Sequence, residues 1–478
     1  MFFAYITKIQ QKSCFNTTIQ QLKLMHIAII GNGISGVTAA RFIRKLSDYR
    51  ITLISAETDH AFSRTALMYI YMGHMRYEDT KLYEDGFWKK NKIDLLKAYV
   101  KRIDTQRKTL YFDGNTSPLI YDRLIIAVGS SPNKLGWPGQ NLKAVQGLYS
   151  YQDLEEMEKY SVELQRAVIV GGGLIGIEMA EMFHSRNIDV TFLVREQSYW
   201  NNVLPAEESA MLNRHIIENR IDLRLATELK AILPDGHGKV RAVITSQGEE
   251  IPCQFVGLTV GVRPNIDFIR DDEATGIECG RGILVDDYLR TSKREVYAIG
   301  DCVELRKPQA TRQAIEALWY TGKMMGEVVA YNICQKPMAY VPRLWFNSAK
   351  FFEIEYQVYG FVYASLPQRC ETIYWEAPDG RKAIRMVWEK ETQAIQGFNL
   401  MGIRYRHEVC EKWIQEQAHV ETVLEHLGMA NFDPEFFRQY ESELLGLYNK
   451  KTGKSLRLKQ KRSLTAALRY LKNRMKLS

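Results

Sequence analysis

An α/β protein built on two doubly wound parallel sheets is what this sequence predicts, and three observations carry the prediction. Twice, a short apolar strand runs into a glycine-spaced turn, then a helical pattern, then a second apolar strand. The two copies stand in the same order but far apart, at residues 26–54 and 167–194, so this is a duplicated architecture and not a short-period repeat. After Phe346 the texture changes to aromatic and β-branched alternation, suited to an antiparallel sheet. Together they give two Rossmann-like dinucleotide-binding domains, a smaller α+β domain, and a helical, basic C-terminal extension.

The first strand, His26 to Ile30, is a continuous apolar run, the mark of burial on both faces. It enters Gly31-Asn32-Gly33-Ile34-Ser35-Gly36, followed by a helical pattern from Val37 to Leu46 and a strand from Ile51 to Ile54. In that context Gly31 permits the tight turn, Gly33 lets the backbone approach a pyrophosphate, and Gly36 lets helix and strand pack closely. The helix N-terminus then offers unpaired N–H groups and a positive dipole end. Glu57, 21 residues after Gly36, stands where an acid can accept hydrogen bonds from a ribose.

The second copy runs from Ala167 to Val170 through Gly171-Gly172-Gly173-Leu174-Ile175-Gly176 to Val190–Val194, with Glu196 20 residues after Gly176. An acid there favours NADH, whereas the neighbouring Arg195 can accept the extra phosphate of NADPH, and the balance leans to NADH. Between the copies, Leu124 to Val128 reads as a strand ending at Gly129. Beyond the second, Phe255 to Val260 leads into Gly261, and Val296 to Ile299 leads into Gly300 and Asp301. A helix is expected over 312–331, and helical pattern returns beyond about Glu408.

Composition narrows the function classes. Of 478 residues, 46% are hydrophobic and 25% charged, ordinary for a globular chain of several domains, and no run is long enough to span a membrane. The net charge of +8 is local: from Lys450 onward there are eleven Lys and Arg and no acid, leaving the body at −3. Nothing there suggests a nucleic-acid groove. The seven cysteines (14, 253, 279, 302, 334, 370 and 410) are scattered and never spaced C-x-x-C, which argues against a disulfide framework, a zinc site or an iron–sulfur site and suits reduced thiols in the cytoplasm. The first 25 residues lack a signal-peptide pattern, and Met25, at the threshold of the first strand, is a candidate start.

With these motifs in place the chain resembles the pyridine nucleotide-disulfide oxidoreductases, and within them the ferredoxin and rubredoxin reductases and the flavin portion of NAD(P)H-dependent nitrite reductase. The resemblance runs over about residues 26–335, more faintly to 405. Tyr121 to Ser130 resembles the family's strand ending Ala-Thr-Gly, with Val128 in place of the threonine. Val296 to Asp301 resembles the late strand whose aspartate meets the ribityl or pyrophosphate part of the flavin. The resemblance implies FAD on the first unit, with Gly31, Gly33, Ile34, Ser35, Gly36, Glu57, Arg64, Val100, Ala127, Val128, Gly129, Gly300 and Asp301. It implies NADH or NADPH on the second, with Gly171, Gly173, Leu174, Ile175, Gly176, Glu196 and Gly261. The expected domains are an N-terminal extension (1–25), a first FAD half (26–150), an inserted NAD(P) domain (151–270), a second FAD half (271–335), an interface domain (336–405) and the basic extension (406–478).

The departures from the family concern the electrons' destination. The stretch that faces the flavin in the disulfide reductases, Phe62 to Tyr69, has no cysteine, and none occurs between Cys14 and Cys253. Direct transfer from flavin to an external acceptor, without a thiol relay, is therefore expected; a small iron–sulfur protein is the acceptor that best fits the resemblance, with a quinone, dioxygen or another small molecule as the open alternatives. The ferredoxin-reductase branch carries Arg-Pro-x-Leu-Ser-Lys here; this chain keeps Arg64 and Leu67 but has Tyr69 where the lysine falls. Glu178, the lysine's partner in that branch and the candidate catalytic residue beside the nicotinamide, thus loses its expected counter-ion, and Tyr69 and Arg64 are both open as replacements. A redox sensor, or a subunit of a larger reductase that does not turn over alone, are the competing classes. The interface domain implies a homodimer as one outcome. The tail places Leu464, Ala467, Leu468, Leu471 and Met475 at helical spacing among basic residues, which suits packing on the body, an acidic partner or peripheral contact with an anionic membrane.

Overall fold

The computed structural model describes residues 24–309, 312–432 and 438–459; the apolar positions of the basic tail lie outside them. In chain order, β1 (His26–Ile30), α1 (Ile34–Leu46), β2 (Arg50–Ser55), β3 (Ile93–Lys97) and β4 (Arg123–Ile126) come first. Then follow β5 (Val145–Gln146), β6 (Arg166–Val170), α2 (Leu174–Ser185), β7 (Asp189–Leu193), α3 (Ala206–Glu218), β8 (Asp222–Arg224) and β9 (Phe255–Leu258). The chain continues through β10 (Val296–Ala298) and α4 (Trp319–Ile333) to an antiparallel run, β11 (Phe346–Phe351), β12 (Ile354–Gly360), β13 (Cys370–Glu376), β14 (Ala383–Glu389) and β15 (Ile395–Met401). Helices α5 (His407–Gln415), α6 (Val420–Glu425) and α7 (Glu441–Thr452) close the described chain.

These elements form two compact units. The first takes the described residues up to Leu67, Met75–Ser131 and Val262–Val341; the second takes Met68–His74, Pro132–Gly261 and the described residues from Pro342. In the first unit, five strands lie parallel in the order β10-β4-β1-β2-β3. The central run explains itself: Ile27, Ala28 and Ile29 are fully buried, so β1 has to be covered on both faces. Helices α1 and α4 approach very closely. A Cβ on Gly326 would stand 2.5 Å from the Ser35 carbonyl oxygen, so only glycine allows the contact. The helix expected from Arg312 begins at Trp319, and residues 312–318 are irregular, with the buried Glu316 side chain held by Arg312 and by the Thr321 hydroxyl.

The second unit repeats the parallel order as β8-β7-β6-β9-β5. It adds the antiparallel sheet β11-β12-β15-β14-β13, on which α5, α6 and α7 pack through Trp388, Phe398, Leu400, Trp413, Leu424 and Tyr448. The fold class agrees with the sequence reading. A buried ion pair ties α3 to this sheet. Arg385 on β14 donates from Nε and Nη2 to the two carboxylate oxygens of Glu208 at 2.7 and 2.8 Å, and Nη2 also reaches Glu207 at 2.8 Å. Glu208 is 1% exposed, and burial pushes its carboxyl up even with the guanidinium opposing that shift. Such a pair contributes little beyond an apolar pair of equal volume, but removing one partner strands a buried charge. Arg385→Met is expected to destabilise the chain by roughly 3–5 kcal/mol, with Arg385→Met/Glu208→Leu recovering most of the loss, as read by urea unfolding.

Candidate functional site

Each parallel sheet ends in the same glycine turn. In the first unit Gly31 has φ +110°, and a Cβ there would collide with the Ala127 carbonyl oxygen at the end of β4. A Cβ on Gly36 would collide with the carbonyl of Gly31 itself, so the first and last glycines are demanded by the protein's own backbone. Gly33 differs: nothing lies within 4 Å of its Cβ position, leaving open space beside the start of α1. That helix begins at Gly33 with no side-chain cap and no acid in its first turn, so Ile34 and Ser35 present N–H groups and a positive dipole end. An open cradle with N–H donors and no competing carboxylate fits a diphosphate.

Other candidate residues gather around this turn. Ser35 is buried, and Cβ positions on both Gly300 (φ +77°) and Gly322 would fall 2.5 Å from its hydroxyl oxygen. Ala127 donates its N–H to Ile30 O at 2.8 Å, and Gly129, with φ +67°, accepts from Asn265 N at 3.0 Å. Val128 is partly buried, its carbonyl accepting from Asn265 Nδ2 at 3.4 Å. Asp301 follows Gly300 in a single 3-10 turn and accepts from the Ser130 hydroxyl at 3.2 Å. Glu57 receives both terminal nitrogens of Arg64, at 2.9 and 2.6 Å, so these two candidates are joined. Val100 is buried and opens a strand opposite Phe112. Ser130 closes the Tyr121–Ser130 motif, whereas Thr58, whose carbonyl holds the buried Asn32 amide, carries no motif and could not be picked from sequence.

In the second unit Gly171 has φ +114°, with its Cβ position 2.6 Å from Thr259 O, and Gly176 again packs on the carbonyl of the turn's first glycine. Gly173 is open, and α2 starts there with no cap and no acid in its first turn, with Leu174 and Ile175 partly exposed. Gly261 has φ +86° and faces the Asn133 amide. Glu196 pairs with Arg195 at 2.8 Å, so the acid and the cation weighed for nucleotide preference are one ion pair. The sequence reading missed Tyr199, fully buried, whose hydroxyl donates to Gly173 O at 3.3 Å. It also missed Glu181 and Lys350, which are paired at 2.7 Å. No spacing rule marks them.

Glu178 lies one turn into α2, partly exposed yet deep among protein atoms. Burial, reinforced by the neighbouring Glu181 charge, pushes its carboxyl up to about 7. Among the described cysteines, burial pushes Cys253 and Cys302 up to about 12, and raises Cys279, Cys334 and Cys410 as well. Among the described residues no group of His, Cys, Asp and Glu could hold a metal ion, and no helix is long and apolar enough to cross a membrane.

Two parallel sheets, each ending in an uncapped glycine turn, define a protein of two dinucleotide sites. The family described as pyridine nucleotide-disulphide oxidoreductase matches residues 25–321, and the chain belongs to it. It is accordingly an FAD-dependent oxidoreductase that uses a nicotinamide nucleotide. The ferredoxin–NAD(+) reductase component of the biphenyl dioxygenase system of Paraburkholderia xenovorans is 30% identical over 323 residues, 67% of this chain and 78% of that protein. Nitrite reductase [NAD(P)H] of Bacillus subtilis is 29% identical over 59% of this chain, which spans only 34% of that longer protein. Among solved structures, a NAD-dependent persulfide reductase from A. fulgidus superposes with a TM-score of 0.77 at 24% identity, covering 90% of this chain and 84% of that one, a likeness of fold.

Two predictions follow from the turns and the buried acid. Gly36→Ala is expected to disrupt the first unit and yield flavin-free, destabilised protein. Gly33→Ala should keep the wild-type unfolding midpoint yet hold flavin at least tenfold more weakly, as measured by visible absorbance and thermal unfolding. For Glu178, the folded protein keeps a proton that the unfolded chain loses near the ordinary value of 4.5. Stability therefore falls as pH rises from there to about 7 and stays reduced above it. Glu178→Gln should raise the stability of nucleotide-free protein by roughly 1–3 kcal/mol at about pH 8, with the difference vanishing at low pH, as followed by thermal unfolding across pH.

Proposed function

We propose that the chain takes reducing equivalents from NADH, in preference to NADPH, into FAD and passes them without a thiol relay to an external acceptor, a small iron–sulfur protein. The observation that carries this reading is the absence of any cysteine between Cys14 and Cys253, including the stretch Phe62 to Tyr69, beside two intact glycine turns. The buried, raised thiols of Cys253, Cys302 and Cys410 support it, because a relay needs an accessible thiolate. The relative named as a ferredoxin–NAD(+) reductase supports both the nucleotide and the class of acceptor.

FAD, when bound, supplies the hydride-accepting and electron-donating chemistry. The residues of the chain bind and orient. The N–H groups opening α1, with Gly33, would hold the flavin diphosphate; Asp301, oriented by Ser130, would accept from ribityl hydroxyls; Glu57 would accept from the adenosine ribose. On the second unit Gly173 and the start of α2 would take the nicotinamide nucleotide's diphosphate, and Glu196 its ribose. Glu178 would position the nicotinamide ring. No acid or base is required, because a hydride carries its own electron pair.

Anaerobic titration of the purified protein with NADH and then NADPH tests this. The flavin bands should bleach at lower NADH than NADPH, and reoxidation should be fast with an added small ferredoxin and slow without one. Flavin that neither nucleotide reduces, or full turnover abolished by thiol alkylation, would refute the reading.

A further inference from the structure

Glu178 and Glu181 stand three residues apart on α2 and so share one face of the helix. Glu181 is 5% exposed. One of its carboxylate oxygens receives the Lys350 ammonium at 2.7 Å, and the other is buried without a hydrogen-bond partner. Lys350 arrives from β11, 169 residues away in sequence, and its Nζ also lies 5.9 Å from the centre of the Tyr69 ring. Glu178 makes no hydrogen bond or ion pair among the described residues. Tyr199 faces it from the loop after β7, but that hydroxyl is spent on Gly173 O and is held neutral by burial. Among the described residues the acid pair is therefore met by one cation, Lys350 on Glu181, and one phenol, Tyr199 beside Glu178, while Tyr69 packs on Lys350.

We propose that Lys350 is a positioning residue for the nicotinamide site: acting through Glu181, it sets the charge state of Glu178 and thereby the pH range over which the nucleotide is held. The inference rests on the reading of α2 as the nicotinamide-binding helix. The physical argument is a count of charges in a poorly solvated space. With Lys350 in place, Glu181 is offset and Glu178 feels mainly its own burial. Without Lys350, two like charges share one helix face with no cation, and the second ionises only at higher pH. The charge then missing from Glu178 is the one placed to orient a nicotinamide. Sequence position gives no hint of this, since β11 belongs to the antiparallel sheet and not to the dinucleotide fold.

The test is the affinity of the flavin-loaded full chain for NAD+, by titration calorimetry between about pH 6 and pH 9, in wild type, Lys350→Met, Lys350→Arg, Glu181→Gln and Lys350→Met/Glu181→Gln. Wild type should show an inflection near neutrality. Lys350→Met should move it up by about one pH unit, which is a tenfold change in proton affinity. Lys350→Arg should leave it in place, Glu181→Gln should move it down, and the double variant should match Glu181→Gln. A purely structural lysine would alter stability but leave the inflection where it was. An unmoved inflection in both Lys350→Met and Glu181→Gln, with NAD+ still bound and flavin still reduced by NADH, overturns the role of Lys350 and spares the proposed function. No NAD+ binding and no flavin reduction in wild type overturns both. Should Lys350→Met fail to fold, Glu181→Gln and Lys350→Arg decide the matter by the same shifts.

Discussion

At two places in this chain a backbone carbonyl lies so close to a turn that no side chain can stand between them, and each unit is organised around that contact. Ala127 O presses on Gly31 and Thr259 O on Gly171, in each case at the end of the strand beside the one that leads into the turn. Gly36 and Gly176 then fold the first turn of the helix onto the carbonyl that opened the motif. The result is geometric: the helix N-terminus is pinned to the carboxyl edge of a parallel sheet, with its first N–H groups facing open space instead of a cap. In the first unit the contact spreads further, since Ser35 in the same turn fixes how near Gly300 and Gly322 may come. The open turn and the packing around it are set by the same few atoms.

Charge is managed differently in the second unit. Arg385 meets two glutamates of α3, and Lys350 meets one glutamate of α2, so α2 and α3 are each reached by a cation from the antiparallel sheet. Burying these groups brings little net stability, because desolvation consumes most of the Coulomb gain. Their effect is specificity of arrangement: a shifted sheet would leave Glu181 and Glu208 buried without a counter-ion. Glu178 is the exception, an acid kept in an unfavourable place with no hydrogen bond or ion pair among the described residues. Such a residue lowers stability, and its retention is coherent with a role at a bound nucleotide rather than in the fold.

The legible parts of the molecule were those whose physics is local. The parallel strands read as unbroken apolar runs because β1 and β6 are covered on both faces, and the glycine turns read by spacing because a collision a few residues away leaves no other residue type. Glu57 and Glu196 were legible by distance along the chain, but their arginine partners were not: Arg64 reaches Glu57 from seven residues on, and Arg195 turns back onto its own neighbour. The helix after Gly300 starts later than its spacing predicts: Arg312 and Glu316 stand at helical spacing yet pair in an irregular stretch before it. Tyr199 and Lys350 carry no signal in the sequence.

What the sequence determined alone is therefore the fold class, the two glycine turns and the lack of a cysteine from Phe62 to Tyr69, since periodicity, glycine spacing and residue identity are written along the chain. What only the tertiary structure decided is the electrostatic setting of those turns. Lys350 comes to Glu181, and Arg385 to Glu208, across 169 and 177 residues. Coulomb and desolvation energies depend on distance and burial in space, and neither quantity is a property of position in the sequence.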